Sequence, residues 1–217
     1  MCIRDSNSNT LLLKNGVDIS IYDEVYSKAK DQFNKKFPQF KGKKIVGYHG
    51  AISWWFDFSL MQYVIEESKD LTFVFVGMID VIVRKEFSKI LNYPNVFYLG
   101  VAQQKLLPYF ISLFDVGIIP FKINKLTVAT NPIKLYEYLA MGKPVVSSAL
   151  PEVFLYEKEG IVKIAKDFSE FNFSLKEMIK YSKDPSLIQK RRKIAYENSW
   201  ESKFEILKSL LYQSNSI

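Results

Sequence analysis

Short, wholly apolar runs recur along this chain, each followed by a stretch long enough for one helix. The runs are Ile45-Val46-Gly47-Tyr48, Phe73-Val74-Phe75-Val76, Val96-Phe97-Tyr98-Leu99, Val116-Gly117-Ile118-Ile119 and Val145-Val146. They are rich in β-branched and aromatic residues, and most stop at Gly, Pro or Ser. They do not alternate with polar residues, which marks strands buried on both faces, as in a parallel sheet. Between them the period changes to that of a helix. Leu60, Met61, Val64 and Ile65 share one helical face, and Leu106, Phe110 and Leu113 another; Pro108 is tolerable there only if its helix starts just before it. Right-handed crossovers then predict an α/β fold, a doubly wound Rossmann-like parallel sheet with helices on both faces and further helices at the C-terminus. The ligand crevice of such a sheet lies at the carboxyl ends of its strands, where Gly50, Gly77, Gly100, Pro120 and Asn131 fall.

One helix of this pattern carries chemistry at its mouth. In Thr130-Asn131-Pro132-Ile133-Lys134-Leu135-Tyr136-Glu137, Asn131 is a good N-cap and Pro132 suits the first helical position, while Gly142 can end the helix in the left-handed conformation. A helix start offers free N–H groups and the positive end of the macrodipole, so it suits a phosphate, and Lys134 adds a full charge. Glu137, about one turn on, is within reach of a hydroxyl-bearing group attached to that phosphate. Phosphate near Lys134 and ribose near Glu137 describe a nucleotide. The plain alternative is an ordinary helix whose Lys and Glu are merely solvated.

Three segments carry a family resemblance. They are Asn95-Val96-Phe97-Tyr98-Leu99-Gly100, Phe114-Asp115-Val116-Gly117-Ile118-Ile119-Pro120-Phe121, and Thr130-Asn131-Pro132 running through to Lys143-Pro144-Val145-Val146. The stretch from Leu99 to Val153 resembles the donor-binding, C-terminal half of family 4 GT-B glycosyltransferases, above all those that assemble bacterial surface polysaccharides such as teichuronic acid. The resemblance implies a retaining transfer of sugar from a nucleoside diphosphate, UDP by default, without a metal or other cofactor. It places the ribose hydroxyls on Glu137. In that family another Glu stands eight residues earlier, where this chain has Ala129, leaving Thr130 and Asn131 as the nearest polar groups. An Arg and a Lys of the family pattern are replaced by Ala51 and Phe56, so charge on the departing diphosphate falls to Lys134, the helix dipole or a group on another domain. Backbone groups around Gly100-Val101 are candidates for the base. Gly50 and His49, at the end of the first strand, complete the candidate nucleotide-sugar site; a packed, hydrogen-bonded role is the plain reading of His49. Trp54-Trp55-Phe56 is either a sugar platform at the same rim or a core plug.

Thr10-Leu11-Leu12-Leu13 reads as a strand entering an Asn15-Gly16 turn, and a similar strand and Asn-Gly-Val-Asp turn mark the crossover between the two domains of the resembling enzymes. The expected organisation is a leader and strand remnant over 1–14, a donor domain over 15–183, and C-terminal helices over 184–217 that pack toward a preceding acceptor domain. Met1-Cys2-Ile3-Arg4-Asp5-Ser6 resembles the spurious leader sometimes attached to assembled environmental sequences. Asn198 and Glu201 have capping-box spacing, and Trp200, Phe204, Leu207 and Leu211 follow on one helical face, which would be left bare without that domain.

Composition narrows the partners. With 217 residues, 48% of them hydrophobic, the chain can bury one sizeable core, and a formal charge of +7 permits an anionic ligand. Lys190-Arg191-Arg192-Lys193 has no interleaved aromatics, which argues against nucleic acid. A solvated helix face is its plain account, and peripheral membrane contact its functional one. Cys2 is the sole cysteine, and no apolar run approaches the roughly 18 residues that span a bilayer. A cytoplasmic protein follows, with the inner face of the membrane as a candidate contact. The partners expected are a nucleotide sugar, a glycan or lipid-linked acceptor and an N-terminal GT-B domain. A GT-B nucleotide-sugar epimerase and a non-catalytic nucleotide-binding module are the alternatives.

Overall fold

The computed structural model describes residues 10–26 and 36–214, and the leader Met1 to Ser6 lies outside them. Six strands form one parallel sheet: β1 (Ile45–His49), β2 (Thr72–Val76), β3 (Val96–Tyr98), β4 (Val116–Ile119), β5 (Val145–Ser148) and β6 (Val162–Ala165). The order is β3-β2-β1-β4-β5-β6, with the reversal between β1 and β4. That reversal opens the crevice in which a doubly wound sheet binds ligands. The five predicted strands are all present. The sixth is additional, a short edge strand whose apolar run is broken by Lys163.

Helices cover both faces, as the periodicity requires. One layer holds α2 (Phe58–Glu67), α3 (Arg84–Leu91) and α7 (Phe168–Lys180); the other holds α1 (Ile19–Tyr26), α4 (Leu107–Leu113), α5 (Ile133–Ala140) and α8 (Pro185–Glu197). The short α6 (Pro151–Phe154) packs beside β6, and α9 (Trp200–Ser214) closes the described chain. Leu60, Met61, Val64 and Ile65 are all buried on α2. Phe110 and Leu113 are buried on α4, but Leu106 is exposed, because it lies in a 3-10 turn ahead of the helix and off its face. Pro108 sits in the first turn of α4, where it removes no helical hydrogen bond.

Four local expectations are corrected. Residues 10–16 form no strand; pairing is confined to one bridge, Val17 with Ser199, where Val17 N–H donates to Asn198 O and Trp200 N–H donates back to Val17 O, both at 3.0 Å. A run such as Thr10-Leu13 becomes a strand only beside another strand, and none is described there. Helix α5 begins one residue late, with Pro132 as its N-cap, because the Asn131 side chain is held elsewhere. The cap of α9 is Ser199, whose Oγ accepts from Ser202 N–H at 3.1 Å, and not Asn198, whose Oδ1 accepts from Lys203 Nζ and Tyr156 Oη.

The fourth concerns the basic cluster. Arg191 has no exposed surface at all. Its Nε donates to Gly160 O at 2.7 Å, Nη1 to Gly142 O at 2.8 Å and Nη2 to Tyr181 O at 2.7 Å. Arg192 donates to Ala140 O and to Asp23. Both guanidinium groups thus meet the carboxyl end of α5, where terminal carbonyls and the negative end of the dipole call for cations. Burial draws the Arg191 guanidinium down to about 10, still charged at neutral pH. Only Lys190 and Lys193 behave as a solvated face.

Candidate functional site

The mouth of α5 is fixed from below. Tyr138 is fully buried with its ring against Gly117, where a Cβ would lie 2.5 Å from the ring, so glycine lets the helix approach the sheet. Its hydroxyl accepts from His49 N–H at 3.2 Å and reaches the carbonyls of Ile118 at 3.2 Å and Gly47 at 3.3 Å. One phenol thereby ties α5 to β1 and β4, the two strands that flank the topological switch. At the far end Gly142, at φ +67°, stops the helix as its sequence position predicts.

Above Tyr138 the structure brings together Glu137, His49 and Lys134. Glu137 is only 7% exposed, and its Oε2 lies 3.3 Å from His49 Nε2, at an angle that makes no hydrogen bond. Burial raises the Glu137 carboxyl above its usual 4.5, while a hydrogen bond from Tyr22 and the charge of Lys134 pull it back. Burial, helped by Lys134, holds His49 well below 6.5, so the imidazole is neutral at pH 7. Lys134 reaches back over the rings of Tyr48 and Phe121, its Nζ 5.2 and 5.1 Å from their centroids. Burial lowers it to about 8, against the opposing pull of Glu137. It also faces Gly50, where a Cβ would meet Nζ at 3.2 Å. An acid, a neutral imidazole and a half-desolvated ammonium therefore share one corner of the carboxyl rim.

The other predicted residues divide. Gly50 lies in the corner, and its backbone is pressed against Gly77: a Cβ on Gly77, at φ +140°, would stand 2.1 Å from Gly50 O. Val101 projects from the rim beyond Gly100, largely exposed. Thr130 spends its hydroxyl on Thr127 O at 2.7 Å. Asn131 is occupied as well, accepting from Asn15 N–H at 3.0 Å and donating to Tyr136 Oη at 3.0 Å. Phe56, where the resembling enzymes have Lys, is a core residue packed edge-on against Tyr48, whereas Trp54 is exposed at the rim. Sequence reasoning missed Tyr22, whose buried hydroxyl donates to Glu137 Oε1 at 2.9 Å. The available signal was the spacing of Ile19, Tyr22 and Val25 on one helical face.

Two described cavities lie away from this corner. One, of about 630 Å³, lies at the amino ends of β1, β2 and β4 among Lys41, Lys44, Lys176 and Lys183; another of that size lies beside Arg192 and Tyr196. Among the described residues no helix is long and apolar enough to cross a membrane.

A parallel sheet with its switch between β1 and β4, and a charged corner at the start of α5, define a doubly wound, Rossmann-like domain. Residues 43–180 match the family described as Glycosyl transferases group 1, and the chain belongs to it. TuaH of Bacillus subtilis (strain 168), named as a teichuronic acid biosynthesis glycosyltransferase, is 29% identical over 194 residues, 88% of this chain and 48% of that protein. The chain thus spans about half the length of this curated relative. Among solved structures, Anabaena HepE in complex with UDP superposes with a TM-score of 0.69 at 15% identity, covering 95% of this chain and 58% of that one. Sucrose-phosphate synthase from Thermosynechococcus elongatus gives 0.71 at 17% identity, covering 95% and 53%. An E. coli structure described as trehalose-6-phosphate bound with UDP-2-fluoro glucose gives 0.68 at 13%, covering 91% and 50%. At these identities the superpositions establish the fold, that of the C-terminal domain of GT-B glycosyltransferases.

Proposed function

We infer that this chain is the donor half of a glycosyltransferase, binding a nucleoside-diphosphate sugar for transfer to a surface polysaccharide or lipid-linked glycan. The observation that carries this reading is the corner itself: a buried Glu137 carboxylate beside His49 Nε2, which has no hydrogen-bond partner among the described residues, one helical turn from Lys134 at the mouth of α5. Groups so expensive to desolvate serve best when a ligand meets them. Ribose hydroxyls donate to Glu137, and the diphosphate lies between Lys134, Gly50 and the helix start. In the transfer, the oxygen of an acceptor hydroxyl bonds to the sugar's anomeric carbon as the bond from that carbon to the diphosphate oxygen breaks, the hydroxyl proton passes to the departing diphosphate, and the remaining charge is met by Lys134 and the helix dipole. No metal is assigned to this step. The UDP held by HepE and the polysaccharide pathway named for TuaH support UDP-sugar as donor and glycan as acceptor.

The acceptor must be held about 3–3.5 Å from the reacting carbon and shielded from water, which requires a second wall. We assign that wall to a further domain. Binding is tested by calorimetry with UDP, uridine and UDP-glucose. Glu137→Gln should weaken UDP and uridine alike by roughly 1–3 kcal/mol, the worth of charge-assisted hydrogen bonds. Unchanged affinity in a folded Glu137→Gln variant would remove this carboxylate from the site.

A further inference from the structure

Helix α1 delivers one polar group to the donor corner, and that group is Tyr22. It is 3% exposed, and among the described residues its hydroxyl bonds only to Glu137 Oε1, at 2.9 Å. Burial and the adjacent carboxyl push the phenol far above its usual 10, so it remains a donor throughout the working pH range. A carboxylate whose Oε1 is engaged presents Oε2, and here Oε2 is the oxygen beside His49 Nε2. The residues leading into α1 hold the same helix start at other points. Asn15 N–H donates to Asn131 Oδ1 at 3.0 Å and Asn15 Nδ2 to Asn131 O at 2.7 Å, while Lys14 pairs with Glu152 at 2.7 Å. Phenylalanine would fill the same apolar space as Tyr22, so the hydroxyl is accounted for by the carboxylate alone.

We propose that Tyr22 is a positioning residue of the donor site, its phenol turning Glu137 so that Oε2 faces the ribose, with residues 14–22 acting as a strap that sets this geometry from outside the sheet. The proposal rests on Glu137 being the ribose-binding carboxylate. Tyr22→Phe in the full chain is the test, read by calorimetry against uridine, UDP and inorganic pyrophosphate. Uridine and UDP should each bind about tenfold more weakly, the worth of one hydrogen bond to a charged group, while pyrophosphate is unaffected. The pH at which uridine affinity is half lost should rise, because Tyr22 no longer favours the ionised carboxylate. In a Glu137→Gln background Tyr22→Phe should change uridine binding little.

A tyrosine that only supports the fold would weaken all three probes together and leave the pH midpoint in place, and that result overturns the proposal. If Tyr22→Phe melts below the assay temperature, 3-fluorotyrosine at position 22 replaces it. This phenol is a stronger donor of nearly the same size, and it must lower the pH midpoint for the proposal to stand. A wild-type chain that binds uridine through Glu137 while Tyr22→Phe has no effect rejects the positioning role alone. A wild-type chain that ignores uridine and UDP rejects the ribose reading as well.

Discussion

Replacing Lys134 with methionine should make the folded chain more stable and a poorer binder of diphosphate. A lysine held near 8 instead of 10.5 carries its charge at pH 7 at a cost of about 3 kcal/mol. Part of the side chain still reaches solvent, which lowers that cost to about 2 kcal/mol. The rings of Tyr48 and Phe121 return about 0.5–1 kcal/mol to the cation. Methionine keeps the aliphatic packing and removes the charge, for a gain of about 1–2 kcal/mol, or roughly 3–6 °C in melting temperature. The sign changes with pH in a defined window. Between about 8 and 10.5 the folded wild type has lost the proton that its unfolded chain retains, so wild-type stability rises there and the advantage of Lys134→Met disappears. Calorimetry should show the opposite cost, a larger loss for UDP than for uridine, narrowing as salt is added. A variant that melts lower at pH 7, or that loses UDP and uridine equally, would refute the assignment of Lys134 as a strained, diphosphate-facing cation.

Two further predictions address the scaffold. Arg191→Met should cost about 3–5 kcal/mol in a thermal or urea melt, since the carbonyls of Gly142, Gly160 and Tyr181 lose their donor inside the protein; a loss below 1 kcal/mol would mean that water replaces the guanidinium. Phe204→Lys combined with Leu211→Lys should suppress concentration-dependent association in sedimentation without altering the circular dichroism, because both side chains stand mostly in solvent, at 62% and 66% exposure. Unchanged association would exclude that face of α9.

The sheet was legible because each buried strand needs a run without polar residues, and the runs from Ile45 to Val146 stand out against their helices. The edge strand Val162–Ala165 was not, since one partly exposed face admits Lys163 and breaks the run. Glu137 and Lys134 were readable from cap chemistry and helical spacing, which act over one turn. Tyr22 and Arg191 were not readable in role, because their partners are 115 and up to 49 residues away. The string Lys-Arg-Arg-Lys looks like surface because the carbonyls that claim Arg191 leave no trace in side-chain identity. The misplaced caps at Asn131 and Asn198 have a shared cause: in each case a distant donor claims the side-chain oxygen that would otherwise have capped the helix.

Helix α5 is anchored at both ends, by Asn15 and Tyr22 near its mouth and by Arg191 and Arg192 at its tail. Sliding it along its axis by even a fraction of a turn would break hydrogen bonds at both anchors at once. A ligand arriving at the mouth therefore has no compliant helix to pull on. The distances between Glu137, His49 and Lys134 are therefore set by anchors at both ends of one helix, and a change at either end is felt at the corner.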